Sequence, residues 1–214
     1  LPGSTLIMKA PGCKQPLKFP TIRSGNTFGA TTWTDGKREA PMLPDQPWLR
    51  KSPSEGVLFW SDECEKIGQV VSSWFDDDDD GDDSEWGNLE FAETPDEADY
   101  FTAITNQIAN TDEQLRYIRM RLWWSGNDRI RRKELTRLPQ EHVQNLSEFE
   151  SLLSEEDPNQ RLMKAEVLRE LSRFDEALRL LEGVFPEDYE HAVQRIRDLA
   201  ASKDSQVASI KEYY

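Results

Sequence analysis

Residues 162–186 read LMKAEVLRELSRFDEALRLLEGVFP, which predicts two short helices joined by a tight turn. Apolar residues recur at helical spacing on both sides of the turn. Ala165 and Ala177 are small enough to let two antiparallel helices approach closely, and Phe174 can fill the space beside the turn. We therefore expect a helical hairpin at this position.

This stretch resembles one unit of the tetratricopeptide repeat, TPR. Residues 172–177 match the turn and the start of the second helix of that repeat, and Leu181, Val184 and Pro186 continue the match. The resemblance implies packing against neighbours, because one such unit cannot bury its own apolar face. The sequence contains no second clean copy at a spacing of about 34 residues. A generic helical hairpin, which has the same local structure, stays open as the alternative.

The rest of the chain from Thr94 onward also predicts helices. Thr94-Pro95-Asp96-Glu97 offers a Thr N-cap, a Pro at the first helical position and a Glu three residues after the cap. Thr111 and Gln114 repeat the capping spacing, and Gly126-Asn127 should end the helix that follows. Further helices are predicted to start at Asp157-Pro158, to cover residues 187–202, and to carry the apolar stripe Val143, Leu146, Phe149, Leu152 and Leu153.

Upstream, residues 8–66 are rich in Gly, Pro and Trp and predict a small β-rich module with loops. Thr34-Asp35-Gly36-Lys37 is a turn signal, because Asp-Gly readily supplies positive φ. Met8-Lys9 looks like a natural start, so residues 1–7 are expected to be vector-derived or an extension. Residues 1–9 show no signal-peptide pattern.

Several pieces of this module belong to one recognisable pattern: Ala10-Pro11-Gly12-Cys13, residues 29–37, residues 40–44 and Ser52-Pro53-Ser54-Glu55-Gly56. With them the module resembles a bacterial zinc-ribbon family in which two Cys-Pro-x-Cys knuckles flank a Trp-x-Asp-Gly-Lys and Pro-rich middle. The resemblance implies a ribbon fold and no activity.

The zinc ligands of that family are mostly missing here. A structural zinc takes four donors, usually thiolates on paired turns. Ala10, Ser52 and Glu55 stand where three of the thiolates would be, and only Cys13 remains. We therefore expect no metal and no cofactor, with a core of aromatic residues in the metal's place: Trp33, Trp48, Phe59 and Trp60.

Residues 67–93 are predicted to be an acidic connector. Between Ile67 and Leu115 the sequence has 15 acidic residues and no Lys or Arg, and the remainder has 26 of each sign. The acidic residues are densest at 76–83, and a run of this charge favours solvation or a cationic partner. Its predicted partner-binding residues are Asp76, Asp77, Asp78, Asp79, Asp80, Asp82 and Asp83. The run also matches the opening of an EF-hand calcium loop, but Gly87 occupies the twelfth position, where a bidentate Glu is required. A solvated loop is favoured over calcium binding.

A basic segment follows, and it contains Arg116, Arg119, Arg121, Arg129, Arg131, Arg132, Lys133 and Arg137. Arginines among aromatic residues suit nucleic acid, but we expect these to pair with the acidic connector, and Trp123-Trp124 to be core. His142 and His191 are predicted to be solvated surface residues. The sequence has no nucleophile elbow and no Gly-rich phosphate loop, so no catalytic residue is expected.

Composition limits the classes of protein to which this chain can belong. The 214 residues carry a net charge of −15, are 31% charged and include seven Trp, which indicates a folded rather than a disordered chain. There is no membrane span of about 18 to 20 apolar residues, and two cysteines, Cys13 and Cys64, favour a reducing cytoplasm.

We expect an α+β protein with a ribbon-like module at 8–66, a connector at 67–93 and a helical TPR-like domain at 94–214. Its expected function is non-catalytic protein recognition, as an adaptor or an immunity-type inhibitor of a basic protein in a bacterial cytoplasm, with neither nucleic acid nor membrane as a partner. The alternative is a nucleic-acid-associated zinc-ribbon protein, and an enzyme ranks third.

Overall fold

A computed structural model describes residues 1–70 and 86–210. The α+β class is confirmed, since small antiparallel sheets precede six helices in the described chain. The strands are β1 Pro2–Lys9, β2 Leu17–Ile22, β3 Thr31–Trp33, β4 Arg38–Glu39, β5 Leu49–Lys51, β6 Leu58–Trp60, β7 Glu65–Val70 and β8 Ser209–Ile210. The helices are α1 Glu97–Thr105, α2 Asp112–Arg131, α3 Gln140–Glu150, α4 Pro158–Glu170, α5 Phe174–Leu181 and α6 Glu190–Ala201.

The chain divides into two compact units. One, called here the β unit, consists of Leu1–Phe28 and Ala40–Asp99; the other, called the helical unit, consists of Gly29–Glu39 and the residues from Tyr100 onward. This division differs from the predicted boundaries at residues 66 and 93. The reason is that residues 29–39 pack with the helices, whereas residues 86–93 belong with the strands.

In the β unit, β1 lies between β2 and β7 in an antiparallel sheet, and β5 pairs with β6. Ile7 is fully buried, and Leu6 and Met8 pack against the core residues Ala10, Leu17, Phe19, Phe59 and Ala92. Residues 2–7, which precede Met8, form most of the central strand of this sheet.

In the helical unit, α4 and α5 form the predicted hairpin, and Ala165 and Ala177 are both fully buried between apolar neighbours. α2 pairs with α3, and a second core cluster contains Trp123, Leu146, Phe149, Leu153 and Val167. The tail is not helical throughout, because β8 pairs with β3 in a small sheet of order β4-β3-β8. No helix of the described chain is long and apolar enough to cross a membrane.

The helix starts test the capping predictions. The Thr111 side chain accepts a hydrogen bond from the Gln114 N–H at 3.1 Å, and the Asp157 side chain accepts one from the Gln160 N–H at 2.8 Å, so both predicted caps are confirmed. The predicted Thr94 cap is wrong. Asp96 and Asp99 each accept a hydrogen bond from the other's N–H at 2.9 Å, and α1 starts only at Glu97.

The predicted helix end at Gly126-Asn127 is also wrong, since α2 continues to Arg131. Both residues are buried and have a role inside the helical unit. Gly126 makes room for α3, because a Cβ atom at this position would lie 2.6 Å from Nδ1 of His142.

Candidate functional site

A buried polar network in the helical unit is built around the turn between β3 and β4. Gly36 has φ +78°, a conformation that glycine adopts at no steric cost, and its N–H donates to the Trp33 carbonyl at 2.9 Å. The predicted turn at residues 34–37 is therefore confirmed. The turn brings Asp35, which is only 1% exposed, into the interior of this unit.

The Asp35 carboxylate is held by residues of α2. Oδ2 accepts a hydrogen bond from Asn127 Nδ2 at 2.9 Å and another from the guanidinium of Arg131. The same guanidinium lies 4.7 Å from the centre of the Trp33 ring and donates to Asp128 Oδ1 at 2.5 Å. Charge pairing, an amide and an aromatic ring thus fix the turn against α2.

Two further carboxylates of this network come from α4. Glu166 forms a fully buried ion pair with Arg169, whose Nε lies 2.7 Å from Glu166 Oε2. Glu170 accepts hydrogen bonds from two neutral donors, Trp123 Nε1 at 2.8 Å and Asn127 Nδ2 at 3.0 Å. Asn127 therefore bridges Asp35 and Glu170.

Burial changes the acidity of these groups. It raises the pKa of Glu170 well above its ordinary value, and the negative charges of Glu166 and Asp35 raise it further. The pKa of Asp35 is also raised, because desolvation outweighs the attraction of Arg131. Asp35 and Glu170 thus hold a proton more tightly than exposed carboxylates do.

Cavities of different size open on the described part of the helical unit. The smaller, about 170 Å³, borders the network and is lined by Trp33, Asp35, Leu162, Met163, Tyr189 and Ile210, among others. It is smaller than the roughly 300–1,000 Å³ of typical small-molecule sites. The larger, about 690 Å³, is an open cleft beside the start of α2, and its charged lining residues are Asp112 and Arg119.

The two turns that resemble zinc knuckles approach each other in the β unit. The Lys14 N–H donates to Glu55 Oε1 at 2.9 Å. Burial raises the pKa of the Cys13 thiol, and the negative charge of Glu55 raises it further. The described residues contain no group of three His, Cys, Asp or Glu side chains that could hold a metal ion. Cys13 and Cys64 are free thiols. Burial raises the pKa of the Cys64 thiol to about 11, and the nearby Cys13 is the next-largest cause of the shift.

The predicted aromatic core of this module is only partly found. Phe59 and Trp60 are 3% and 2% exposed, and Trp48 packs against Trp60 with ring centres 4.7 Å apart. Trp33 is not part of this core, because it lies in the helical unit beside Arg131.

The other predicted residues have separate outcomes. The acidic run Asp76, Asp77, Asp78, Asp79, Asp80, Asp82 and Asp83 lies outside the described residues. In the basic segment, Arg119 pairs with Glu148, and Arg121 donates to the Tyr100 hydroxyl at 3.1 Å, so these arginines have partners in their own unit. Of the predicted core pair Trp123-Trp124, Trp123 is fully buried, whereas Trp124 is only half-buried and its Nε1 donates to the Asp35 carbonyl at 3.0 Å.

The two histidines differ from each other. His191 is exposed, as predicted. His142 is fully buried, so the prediction of a solvated side chain is wrong for it. Its ring packs edge-on to Phe101 with ring centres 5.3 Å apart, in the space that Gly126 leaves open.

Sequence reasoning missed the polar residues of the network on the helices: Asn127, Glu166, Arg169 and Glu170. A signal for them does exist in the sequence. Glu166 and Arg169 stand among Ala165, Val167 and Leu168 on a helix with apolar residues on several sides, a pattern that favours burial of some of its charged residues. No protein-family model, no curated protein and no solved structure matches this chain.

Proposed function

We propose that the protein is a non-catalytic recognition module that binds a protein partner with a basic surface, as an adaptor or inhibitor in the cytoplasm. The observation that carries the proposal is the uneven distribution of charge. The β unit contains 18 acidic and 7 basic residues, which gives a net charge of −11. The helical unit contains 23 acidic and 19 basic residues, which gives a net charge of −4.

The acidic side chains of the two units are used differently. In the helical unit, Asp35, Glu166 and Glu170 are held inside the polar network. In the β unit, many carboxylates face water, and the exposed ones among the described residues include Asp62, Glu63, Glu65, Glu90, Glu93 and Asp96. A surface of this charge attracts cationic proteins at long range and repels nucleic acid phosphates.

The network itself supports a structural role over catalysis. A carboxyl with a raised pKa is a common feature of active sites, but buried ion networks produce the same shift. Here the adjoining cavity is small and each carboxylate is committed to donors within the unit.

The test replaces the seven aspartates of residues 76–83 by asparagine. We expect an unchanged or slightly higher melting temperature, because self-repulsion falls, and slower association with the captured partner that depends less on salt. The partner would be isolated by pull-down with the unaltered chain and identified, and its association rate would be measured by stopped flow.

A matched control neutralises seven exposed acidic residues of the helical unit instead: Glu134, Glu141, Glu155, Glu156, Glu182, Asp188 and Glu190. This control should leave the association rate nearly unchanged. Equal rates for the unaltered chain and the asparagine variant would show that the acidic run has no part in capture.

A further inference from the structure

The two cysteines of the chain lie at the same end of the three-stranded sheet in the β unit. Strands β1 and β7 are antiparallel neighbours, so the end of β1 faces the start of β7, and Lys9 is paired with Glu65. Extending this register by one residue places Cys64 opposite Ala10. Cys64 directly precedes β7, and Cys13 follows the end of β1 by four residues. The pairing of these strands therefore carries both thiols to one end of the sheet.

A tight turn brings Cys13 back towards Ala10. The Cys13 N–H donates to the Ala10 carbonyl at 3.2 Å, which closes a turn of four residues. Gly12 permits this turn, because its φ of +77° lies in the left-handed region that glycine adopts at no steric cost. The Cα atoms of the first and last residues of such a turn are less than about 7 Å apart. Cys13 is thus close to the residue that Cys64 faces.

The side chains of both cysteines pack against the same core. Directly opposite residues of an antiparallel pair share a face of the sheet. Ala10 is 3% exposed, and Cys13 and Cys64 are both partly buried. Cys64 Sγ lies 3.5 Å from the Trp60 carbonyl oxygen. Both cysteines contact one cluster of buried residues: Ala10, Leu17, Phe19, Phe59 and Ala92.

We propose that Cys13 and Cys64 form a reversible disulfide when the chain meets a low-molecular-weight disulfide such as glutathione disulfide, so that the β unit carries a redox-responsive modification site. Both cysteines are free thiols in the structure. Protein disulfides in reducing compartments are usually transient bonds of this kind. The site does not include the acidic residues 76–83, so this inference does not depend on the proposed function.

The reaction consists of two exchange steps. The Cys13 thiolate attacks one sulfur of glutathione disulfide, which forms a bond between Cys13 and glutathione and releases one glutathione thiolate. The Cys64 thiolate then attacks the Cys13 sulfur, and the second glutathione thiolate leaves. The protons of the two cysteines end on the two released glutathione molecules. The two cysteine sulfurs lose two electrons in total, and glutathione disulfide gains them.

The surroundings of the two thiols make this reaction slow at neutral pH. Burial raises the pKa of Cys64 to about 11, Arg50 opposes the shift, and further groups add to it: Cys13, Asp62 and Glu63. Burial also raises the pKa of Cys13, and the negative charge of Glu55 raises it further. Because the thiolate is the attacking form, the rate of disulfide formation should rise about tenfold for each pH unit between about pH 7 and pH 9.

The test incubates the reduced full chain with excess glutathione disulfide over this pH range. We expect both free thiols to disappear, the intact mass to fall by two hydrogen atoms, and the non-reduced peptide map to join the peptides of Cys13 and Cys64. The oxidised chain should melt at least about 5 °C higher than the reduced chain, because the bond keeps a loop of about 50 residues closed in the unfolded state. Dithiothreitol should restore the original melting temperature.

Cys13→Ser and Cys64→Ser are the matched controls, because each keeps one thiol in the same surroundings. Each should take up at most one glutathione and show no rise in melting temperature. The unaltered chain unfolded in urea is the control for the reagent, and its thiols should react faster at neutral pH than those of the folded chain. Four results would each overturn the proposal: a stable folded chain with two bound glutathiones, disulfides only between chains, an unchanged or lower melting temperature after oxidation, or no oxidation of the folded chain after several days at about pH 9 while the unfolded chain reacts completely.

Discussion

At the scale of single residues, Glu170 and Glu166 differ in the side chains that hold their carboxylates. Glu166 has a buried cation beside it, Arg169, and their ion pair has no exposed side-chain surface. Glu170 accepts from an indole and an amide, and its pKa is raised, first by burial and then by Glu166 and Asp35. Two glutamates four residues apart are therefore held by different partners, one by a guanidinium and one by neutral donors.

We expect Glu170 to make folding less favourable as pH rises. Its pKa in the unfolded chain is about 4.3, and the folded value lies well above the ordinary one, so the stabilisation is complete below about pH 4 and is lost as pH rises through the folded pKa. Glu170→Gln should flatten the decline of melting temperature between about pH 5 and pH 9. Asp35, whose pKa is shifted in the same direction, leaves part of the slope in place.

Glu166→Gln is the matched control for this experiment. It removes one partner of a buried ion pair and should destabilise the chain by about 3–5 kcal/mol in urea unfolding. An unchanged pH slope in Glu170→Gln would show that Glu170 is ionised throughout this range.

At the scale of secondary structure elements, Gly126 fixes the contact between α2 and α3. Alanine normally stabilises a helix interior by about 1 kcal/mol relative to glycine. Here the added Cβ would lie 2.6 Å from His142 Nδ1 and 2.9 Å from Leu138 Cδ2. We expect Gly126→Ala to destabilise the chain by about 1–3 kcal/mol, because overpacking exceeds the gain in propensity.

Urea unfolding of Gly126→Ala, beside Ser125→Ala in the same helix, would measure this effect. The double variant Gly126→Ala/His142→Ala should lose less than the two single variants together, since the smaller side chain at 142 leaves space for the new methyl group. A stabilised Gly126→Ala chain would contradict the close contact between the helices.

The paired turns of the β unit give a second prediction at this scale. The chain as it stands should carry no stoichiometric zinc and should keep its fold in chelator, because three of four thiolates are missing. The triple variant Ala10→Cys, Ser52→Cys and Glu55→Cys should bind one zinc ion per chain, since the Lys14 N–H donates to the Glu55 carboxylate and so joins the two knuckle-like turns.

Elemental analysis and the absorption of added cobalt would check both statements, and the single variant Ala10→Cys serves as the control. One zinc ion per unaltered chain, or unfolding of that chain by chelator, would contradict the first. A triple variant that folds but binds no metal would contradict the second.

Local signals in the sequence were sufficient where one short-range contact determines the element. Thr111 and Asp157 predict helix starts because each cap bonds to a residue three positions away. Gly36 predicts a turn because of its own φ. The helix end predicted at Gly126-Asn127 is wrong because both residues serve contacts that are distant in the sequence. Gly126 makes room for His142 on α3, and Asn127 donates to Asp35, about 90 residues earlier. The candidate network depends mainly on such long-range partners, and of its pairs only Glu166–Arg169 is local in the sequence.

At the scale of the whole molecule, the net charge of −15 governs association. We expect no appreciable binding to duplex DNA or RNA at physiological salt. The acidic residues repel phosphates, and several arginines of the basic segment are already paired, Arg119 with Glu148 and Arg131 with Asp35. The attraction of exposed charges is screened beyond about 8 Å at that ionic strength.

Fluorescence anisotropy with labelled duplexes at several salt concentrations would test this expectation. Sub-micromolar binding that weakens steeply with salt would contradict it and would favour the nucleic-acid alternative. The exposed residues Arg132, Lys133 and Arg137 would then be the first to replace.

The placement of residues 29–39 in the helical unit also determines the order in which the parts of this unit can assemble during protein synthesis. Ribosomes add about 5–20 residues per second, so Glu170 is made on the order of ten seconds after Asp35. During that interval the synthesis of the β unit, whose last residue is Asp99, is completed. Residues 31–39 stay exposed to solvent until the helices that cover them have been made. Asp204, whose carbonyl accepts from Arg169, and Ala208, which pairs with Thr34, arrive last. The nascent helical unit therefore closes around a segment that left the ribosome long before, and slowing translation between residues 40 and 112 would lengthen the time for which that segment is exposed to other proteins.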